Sequence, residues 1–347
     1  MLLAALAQTA PEAVAPVPAA LDSADLAILG TYIAAAIVFA VFAIIHRLRR
    51  RRKTPPALPP ADPGASMPSG TLPPPLPSSN PYTPPWSLSA APLTPAPSGG
   101  ILRHFKVSTH PYRGIDLLFI GIIFLLFALL TVGGTEGGGD TPAEQRFKPE
   151  ILVASMFFQF MLMGIACAFM VRRINQTEWL GLRWSRWWLV FPIAPTALFF
   201  MWFVMGVFQF SGWNGWLEQV FDIESMQESV KLLQEAKDPV VVVLMAIAAV
   251  IVAPITEEVI FRGYLYPAAK HFCGPVGGIL FSSLVFAAAH ANVVAIAPLF
   301  VLAVLLCLVY EFTGSIWANI SVHFLFNAAT VAIQLLVRYG VFEMPEQ

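Results

Sequence analysis

The chain is short of charge. Asp, Glu, Lys and Arg together make up 12% of its 347 residues, about half the ~25% usual in soluble domains. Apolar residues reach 57%, which leaves too little polar surface to keep such a chain in water and places it among membrane proteins. A net charge of -1 offers no electrostatic footprint for nucleic acid. Cysteine is also scarce: Cys167, Cys273 and Cys307 lie in or beside apolar segments with no CxxC or His-spaced pattern, so they read as small core residues and exclude a disulfide scaffold or zinc ribbon. The sequence has no internal repeat and no matching pair of broken hydrophobic segments, which counts against a secondary transporter.

Long apolar runs dominate what is there. The expected spans are about Leu26 to Ile45, Ile115 to Val132, Ile151 to Val171, Trp187 to Phe208, Val240 to Phe261, Val276 to Val293, Ala295 to Phe312 and Ile316 to Val337. The fold class is therefore all-α, a polytopic transmembrane helix bundle of about eight spans. Residues 276 to 312 form nearly one apolar run, too long for a single crossing, and are split near Asn292.

The first span is followed at once by His46-Arg47-Leu48-Arg49-Arg50-Arg51-Arg52-Lys53, which the positive-inside rule makes cytoplasmic, leaving residues 1 to 25 as a small external tail. A cleaved signal peptide fits poorly, since Met1 to Ala7 has no basic start and too short an apolar core. Residues 54 to 99 are crowded with proline among Ser, Ala and Gly; such a stretch cannot bury a core and reads as a disordered or polyproline II linker, cytoplasmic like the basic run before it. The expected organisation is thus 1–53 tail and single anchor, 54–100 linker and 101–347 bundle, with a catalytic core at about 150–340. Arg103, Lys106 and Arg113, Arg172 and Arg173, and Lys270 with His271 all fall on the anchor's basic side. Gly137 to Asp140 and the mixed-charge stretch Glu218 to Asp238 fall on the other. Trp184, Trp187 and Trp188 read as an interfacial belt.

Against this background one stretch stands out. Val240 to Ile255 carries no charge, and then Thr256-Glu257-Glu258-Val259-Ile260-Phe261-Arg262 places two carboxylates and a guanidinium in the same apolar helix. Each charge costs about 2.5–3.5 kcal/mol near the bilayer centre, so each calls for a partner. Glu258 and Arg262, four residues apart, share a helix face and can pair. Glu257 is rotated by about 100° and faces something else. Two later apolar segments supply polar groups: Phe286-Ala287-Ala288-Ala289-His290, and His323-Phe324-Leu325-Phe326-Asn327 with its histidine and amide at i, i+4. Each has a bland reading as interhelical glue. Their coincidence in one third of the chain points to a polar site inside the bundle.

The three segments, Glu-Glu-x-x-x-Arg, Phe-x-x-x-His and His-x-x-x-Asn, resemble the signature of the CAAX protease and bacteriocin-processing (CPBP, or Abi) family of intramembrane proteases, and Tyr310 to Ile316 is similar as well. The resemblance implies an intramembrane endopeptidase with catalytic Glu257, His290, His323 and Asn327, supported by Glu258 and Arg262. It implies that Glu257 and His290 activate a water while His323 and Asn327 hold the oxyanion. The topology puts Glu257 near the cytoplasmic end of its span, and with it the site in the cytoplasmic half of the cell membrane, its mouth cytoplasmic. Zinc held by Glu257, His290 and His323 is the open alternative, although the contiguous His-Glu-x-x-His of zinc proteases is absent. The implied partners are a peptide or protein substrate, with a lipid-modified one left open, and the bilayer. Competing function classes are a non-catalytic scaffold or bacteriocin-immunity protein of the same fold, and an ion-coupled transporter using the same buried Glu and His.

Overall fold

A computed structural model describes residues 22–53, 105–136, 147–223 and 228–341. The expected external tail before residue 22, the proline-rich linker and the glycine-rich loop at 137–140 lie outside the described residues. Within them the fold is all helical with no strand: α1 Ser23–Lys53, α2 Asp116–Glu136, α3 Pro149–Met170, α4 Gln176–Trp179, α5 Val190–Phe210, α6 Trp213–Phe221, α7 Glu228–Glu235, α8 Pro239–Ile247, α9 Ala253–Glu257, α10 Tyr266–Ala288, α11 Val293–Thr313 and α12 Ile316–Arg338. Two π-helical segments, Ala248–Val252 and Glu258–Leu265, join α8, α9 and α10 into one helical run. Among the described residues, six helices are long and apolar enough to cross a membrane, and Asp116–Thr131 is a shorter apolar helix. The protein is a multi-pass membrane protein.

The count differs from the eight expected spans for a physical reason. Pro239–Ala288 is 50 residues of unbroken helical assignment, and the span expected at Val240 to Phe261 and most of the one expected at Val276 to Val293 lie inside it. The first of them does not stop near Phe261. It continues to Gly274, whose φ of 77° and ψ of 173° turn the chain before Pro275. From Pro239 to that turn the helix runs about 50 Å at 1.5 Å per residue, more than a hydrocarbon core of about 30 Å. Glu257 therefore lies midway along its helix, not near its end. The break near Asn292 is present: α10 ends at Ala288, Ala291 takes a positive φ of 51°, and the Asn292 side chain accepts from the Ala295 N–H at 2.8 Å to cap α11.

α1 does not stand apart from the bundle. It packs along α10 in antiparallel order, with the Phe39 ring tilted against Phe281 (5.0 Å between ring centroids), Phe42 over Gly277 and His46 beside Gly274. A Cβ at Gly277 would come within 2.5 Å of Phe42 Cβ, so this close approach needs glycine. Ile28, Tyr32 and Ala35 of α1 are buried in the same core as Tyr264, Leu265 and Phe286. At the opposite end, Arg338 caps α7 by donating to the carbonyls of Leu233, Gln234 and Ala236. That docks the mixed-charge segment onto α12.

Candidate active site

The Glu258 cluster is built from three helices. Glu258 opens the second π segment, Arg262 follows one turn later, and Asn319 and His323 project from α12. Arg262 Nη1 donates to Glu258 Oε1 at 3.0 Å, His323 Nδ1 lies 2.8 Å from the same oxygen, and Asn319 Nδ2 donates to Oε2 at 3.3 Å. All four residues are buried. Arg262 also donates to the Ala303 carbonyl, and its guanidinium sits 4.4 Å from the centroid of the Phe286 ring. Asn319 donates to the Leu306 carbonyl at 2.8 Å, which ties α11 into the cluster. The ion pair expected from the i, i+4 spacing is present, and its carboxylate has two further donors that the spacing did not announce.

Two other carboxylates are fully buried, and both are as well supplied. Asp116 accepts from Arg173, from the Tyr264 hydroxyl at 2.6 Å and from the Arg113 N–H. Glu311 accepts from the Tyr266 hydroxyl, the Lys270 ammonium and the Val107 N–H. Glu257 is the contrast. It is half-buried, and its Oε2 is the one carboxylate oxygen, among the described residues, that is buried without a hydrogen-bond partner. Arg262 Nε and Asn319 Oδ1 also lack partners, but inside the closed cluster.

His290 sits on the turn after α10, not inside a span, because the helix stops at Ala288. Its Nδ1 lies 2.8 Å from the Phe286 carbonyl. A carbonyl only accepts, so Nδ1 carries a proton, and in the neutral ring Nε2 then keeps its lone pair. The Phe286 ring lies between the two histidines, with its centroid 4.8 Å from His290 and 6.1 Å from His323. Asn327 donates to the Ala249 carbonyl at 2.8 Å, which leaves its second N–H uncommitted by that bond.

The Ala249 carbonyl belongs to the first π segment, and the second is held in a similar way. The Gly263 carbonyl accepts from the Tyr112 hydroxyl at 2.8 Å and from Trp179 Nε1 at 2.9 Å. A π turn disturbs the regular i→i−4 ladder and is common at functional sites. Here side chains from α12, from α4 and from the loop before α2 satisfy carbonyls on either side of Glu257. Burial pushes the Tyr112 phenol well above its ordinary value, so it stays a neutral donor.

The family profile of type II CAAX prenyl endopeptidase, Rce1-like, matches residues 239–329. The chain carries an Rce1-like CAAX protease domain. The match begins at α8 and ends just beyond Asn327, so it contains both π segments, the Glu258 cluster and His290. Membership implies a peptidase, and hence a protein or peptide substrate. No curated protein and no solved structure matches the chain.

A metal set does not form in this domain. Among the described residues no three His, Cys, Asp or Glu side chains converge to hold an ion. His323 turns Nδ1 to Glu258, which is itself committed to Arg262, and the zinc set of Glu257, His290 and His323 expected as an alternative does not assemble. Sequence reasoning also missed Asn319. Its signal was the i, i+4 spacing to His323, the same spacing that marks Asn327 on the other side.

Proposed function

We propose that the chain is an intramembrane endopeptidase that cleaves by an activated water, with Glu257 as the base. The observation that carries this reading is the Glu257 Oε2 left buried and unpartnered beside a carboxylate with three donors. An unmade hydrogen bond at such a place costs about 1–3 kcal/mol, more when charged, and a water bound there relieves it. Glu257 takes the water's proton as the oxygen attacks the scissile carbonyl, and gives it to the leaving amine as the C–N bond breaks. His290, protonated on Nδ1, accepts the other water hydrogen at Nε2 and aims the lone pair.

The developing oxyanion needs donors. Asn327 supplies the N–H not bound to Ala249. His323 donates from Nε2 when it carries both protons, since Nδ1 is engaged with Glu258. Arg262 and Asn319 hold Glu258 in place, which makes them positioning residues. The substrate class taken from the family name is a prenylated protein cut near its C-terminus, with the basic end of α1 facing the cytoplasm.

The test is cleavage of a farnesylated peptide and its unprenylated twin by the purified protein in liposomes. Cleavage that is lost in Glu257→Gln and faster for the farnesylated peptide supports the reading. Equal rates for the two peptides would remove the prenyl specificity, and undiminished cleavage by the variant would remove the mechanism.

A further inference from the structure

Gln159 lies at the middle of α3, ten residues from Pro149 and eleven from Met170. It is half-buried and falls on the stripe of the buried Leu152 and Ala166, each seven residues or two turns away. An apolar residue is expected there, since an amide at that depth needs a partner inside the bundle. The partner is in α9: Gln159 Oε1 lies 3.1 Å from the hydroxyl oxygen of Thr256, which is fully buried. Thr256 Oγ1 also lies 2.8 Å from the Val252 carbonyl. A hydroxyl has one proton to give and lone pairs to receive. Both bonds form when the carbonyl takes that proton and the amide, whose two ends have equal shape, turns its N–H to the oxygen.

The contact falls where the helix holds itself least. α9 is five residues long and lies between the two π segments, where the regular i→i−4 ladder is disturbed. Asn327 holds the first π segment at the Ala249 carbonyl, and Tyr112 and Trp179 hold the second at the Gly263 carbonyl. Between them, the bond from Gln159 is the one side-chain hydrogen bond, among the described residues, that joins α9 to another helix. Glu257 is next in the chain, its Cα about 3.8 Å from that of Thr256. A rotation of α9 about its axis therefore turns the Thr256 hydroxyl and the Glu257 carboxylate together.

We infer that Gln159 is a positioning residue for the reaction: by holding Thr256 it sets the direction of the Glu257 carboxylate. The inference rests on the proposed role of Glu257 as base. Gln159 lies outside residues 239–329 of the family profile, so this support comes from a helix that the profile does not include. Its effect passes through Thr256, without contact to the substrate.

The experiment measures cleavage of the farnesylated peptide by the full chain in liposomes, for Gln159→Leu, Thr256→Val, the double variant and Thr256→Ser. Each of the first two should lower kcat by about 10 to 100-fold, the scale of a small misplacement at the reacting atoms, with KM unchanged. Thr256→Ser keeps the hydroxyl and should keep most of the parent's kcat. The double variant should fall no further than either single one, because both break the same bond. Losses that multiply in the double variant would overturn the inference, as would an undiminished kcat in Gln159→Leu. A raised KM with kcat unchanged would make Gln159 a substrate contact and overturn it too. Hydrogen exchange of the amides of 253–262, followed by mass spectrometry, reads the same link without cleavage. Exchange should speed up in Gln159→Leu and Thr256→Val alike, and exchange equal to the parent's would overturn the inference. Absence of cleavage by the parent would instead count against the proposed function, with exchange left to decide the link between α3 and α9.

Discussion

The face of the helical run that carries Glu258 and the face that carries Glu257 are one residue apart and differ in every physical respect. Glu258 is fully buried, shares its oxygens among a guanidinium, an imidazole and an amide, and links the run to α12. Glu257 is half-buried and keeps an oxygen without a partner. Burying a charge is tolerable only when its partners are in place, so the first face is what a fold requires, and the second is the one we propose for the reaction. A carboxylate inside a membrane helix is therefore not a catalytic signal by itself, since Asp116 and Glu311 are equally buried and fully engaged in packing.

The largest stability effect falls on the Glu258 face. Arg262→Ala strands a buried carboxylate and should lower stability by about 3–5 kcal/mol, read as thermal unfolding in detergent, with activity lost alongside. The double variant Glu258→Gln with Arg262→Met leaves neither charge alone and should recover much of that stability. A double variant as unstable as the single one would mean that the Arg262 contacts to Ala303 and Phe286 outweigh its ion pair.

Asn327→Ala probes the other face. Cleavage should fall by about 100 to 1000-fold, the usual cost of one oxyanion donor, and not to zero. A loss confined to stability would assign Asn327 to the Ala249 carbonyl alone.

Smaller effects separate the supports. Asn319→Leu removes one donor to a charged group and should cost about 1.5–3 kcal/mol in unfolding free energy, with cleavage reduced but present. Tyr112→Phe deletes one of two donors to the Gly263 carbonyl and should cost about 1 kcal/mol, measured in the same way. A loss of cleavage in Tyr112→Phe without a stability change would mean that the π segment aims Glu257 more tightly than its packing suggests.

Much of this contrast was legible in the residues, and the reasons for the rest are specific. The ion pair followed from i, i+4 spacing, and the helix break from Asn292. The partners of Asp116 and Glu311 did not follow, because Tyr264 is 148 residues from the one and Val107 is 204 from the other, and both acids sit at helix ends that look solvated in sequence. The π segments were hidden for a similar reason: their carbonyls are satisfied by Asn327, Tyr112 and Trp179 from elsewhere in the chain, and local propensity does not record a distant donor. The docking of α1 was hidden because Gly274 and Gly277 read as punctuation in an apolar run, while their role is to admit His46 and Phe42.

The most direct measurement takes the neighbours side by side: Glu257→Gln and Glu258→Gln, each assayed for peptide cleavage in liposomes and for thermal unfolding. Glu257→Gln should abolish cleavage and leave the unfolding temperature near that of the parent, because it breaks no hydrogen bond of the fold at Oε2. Glu258→Gln should lower the unfolding temperature markedly, since Arg262 then loses its counter-charge. Cleavage that persists in Glu257→Gln, or an unfolding temperature that drops as far in Glu257→Gln as in Glu258→Gln, would contradict the division between a catalytic and a structural glutamate.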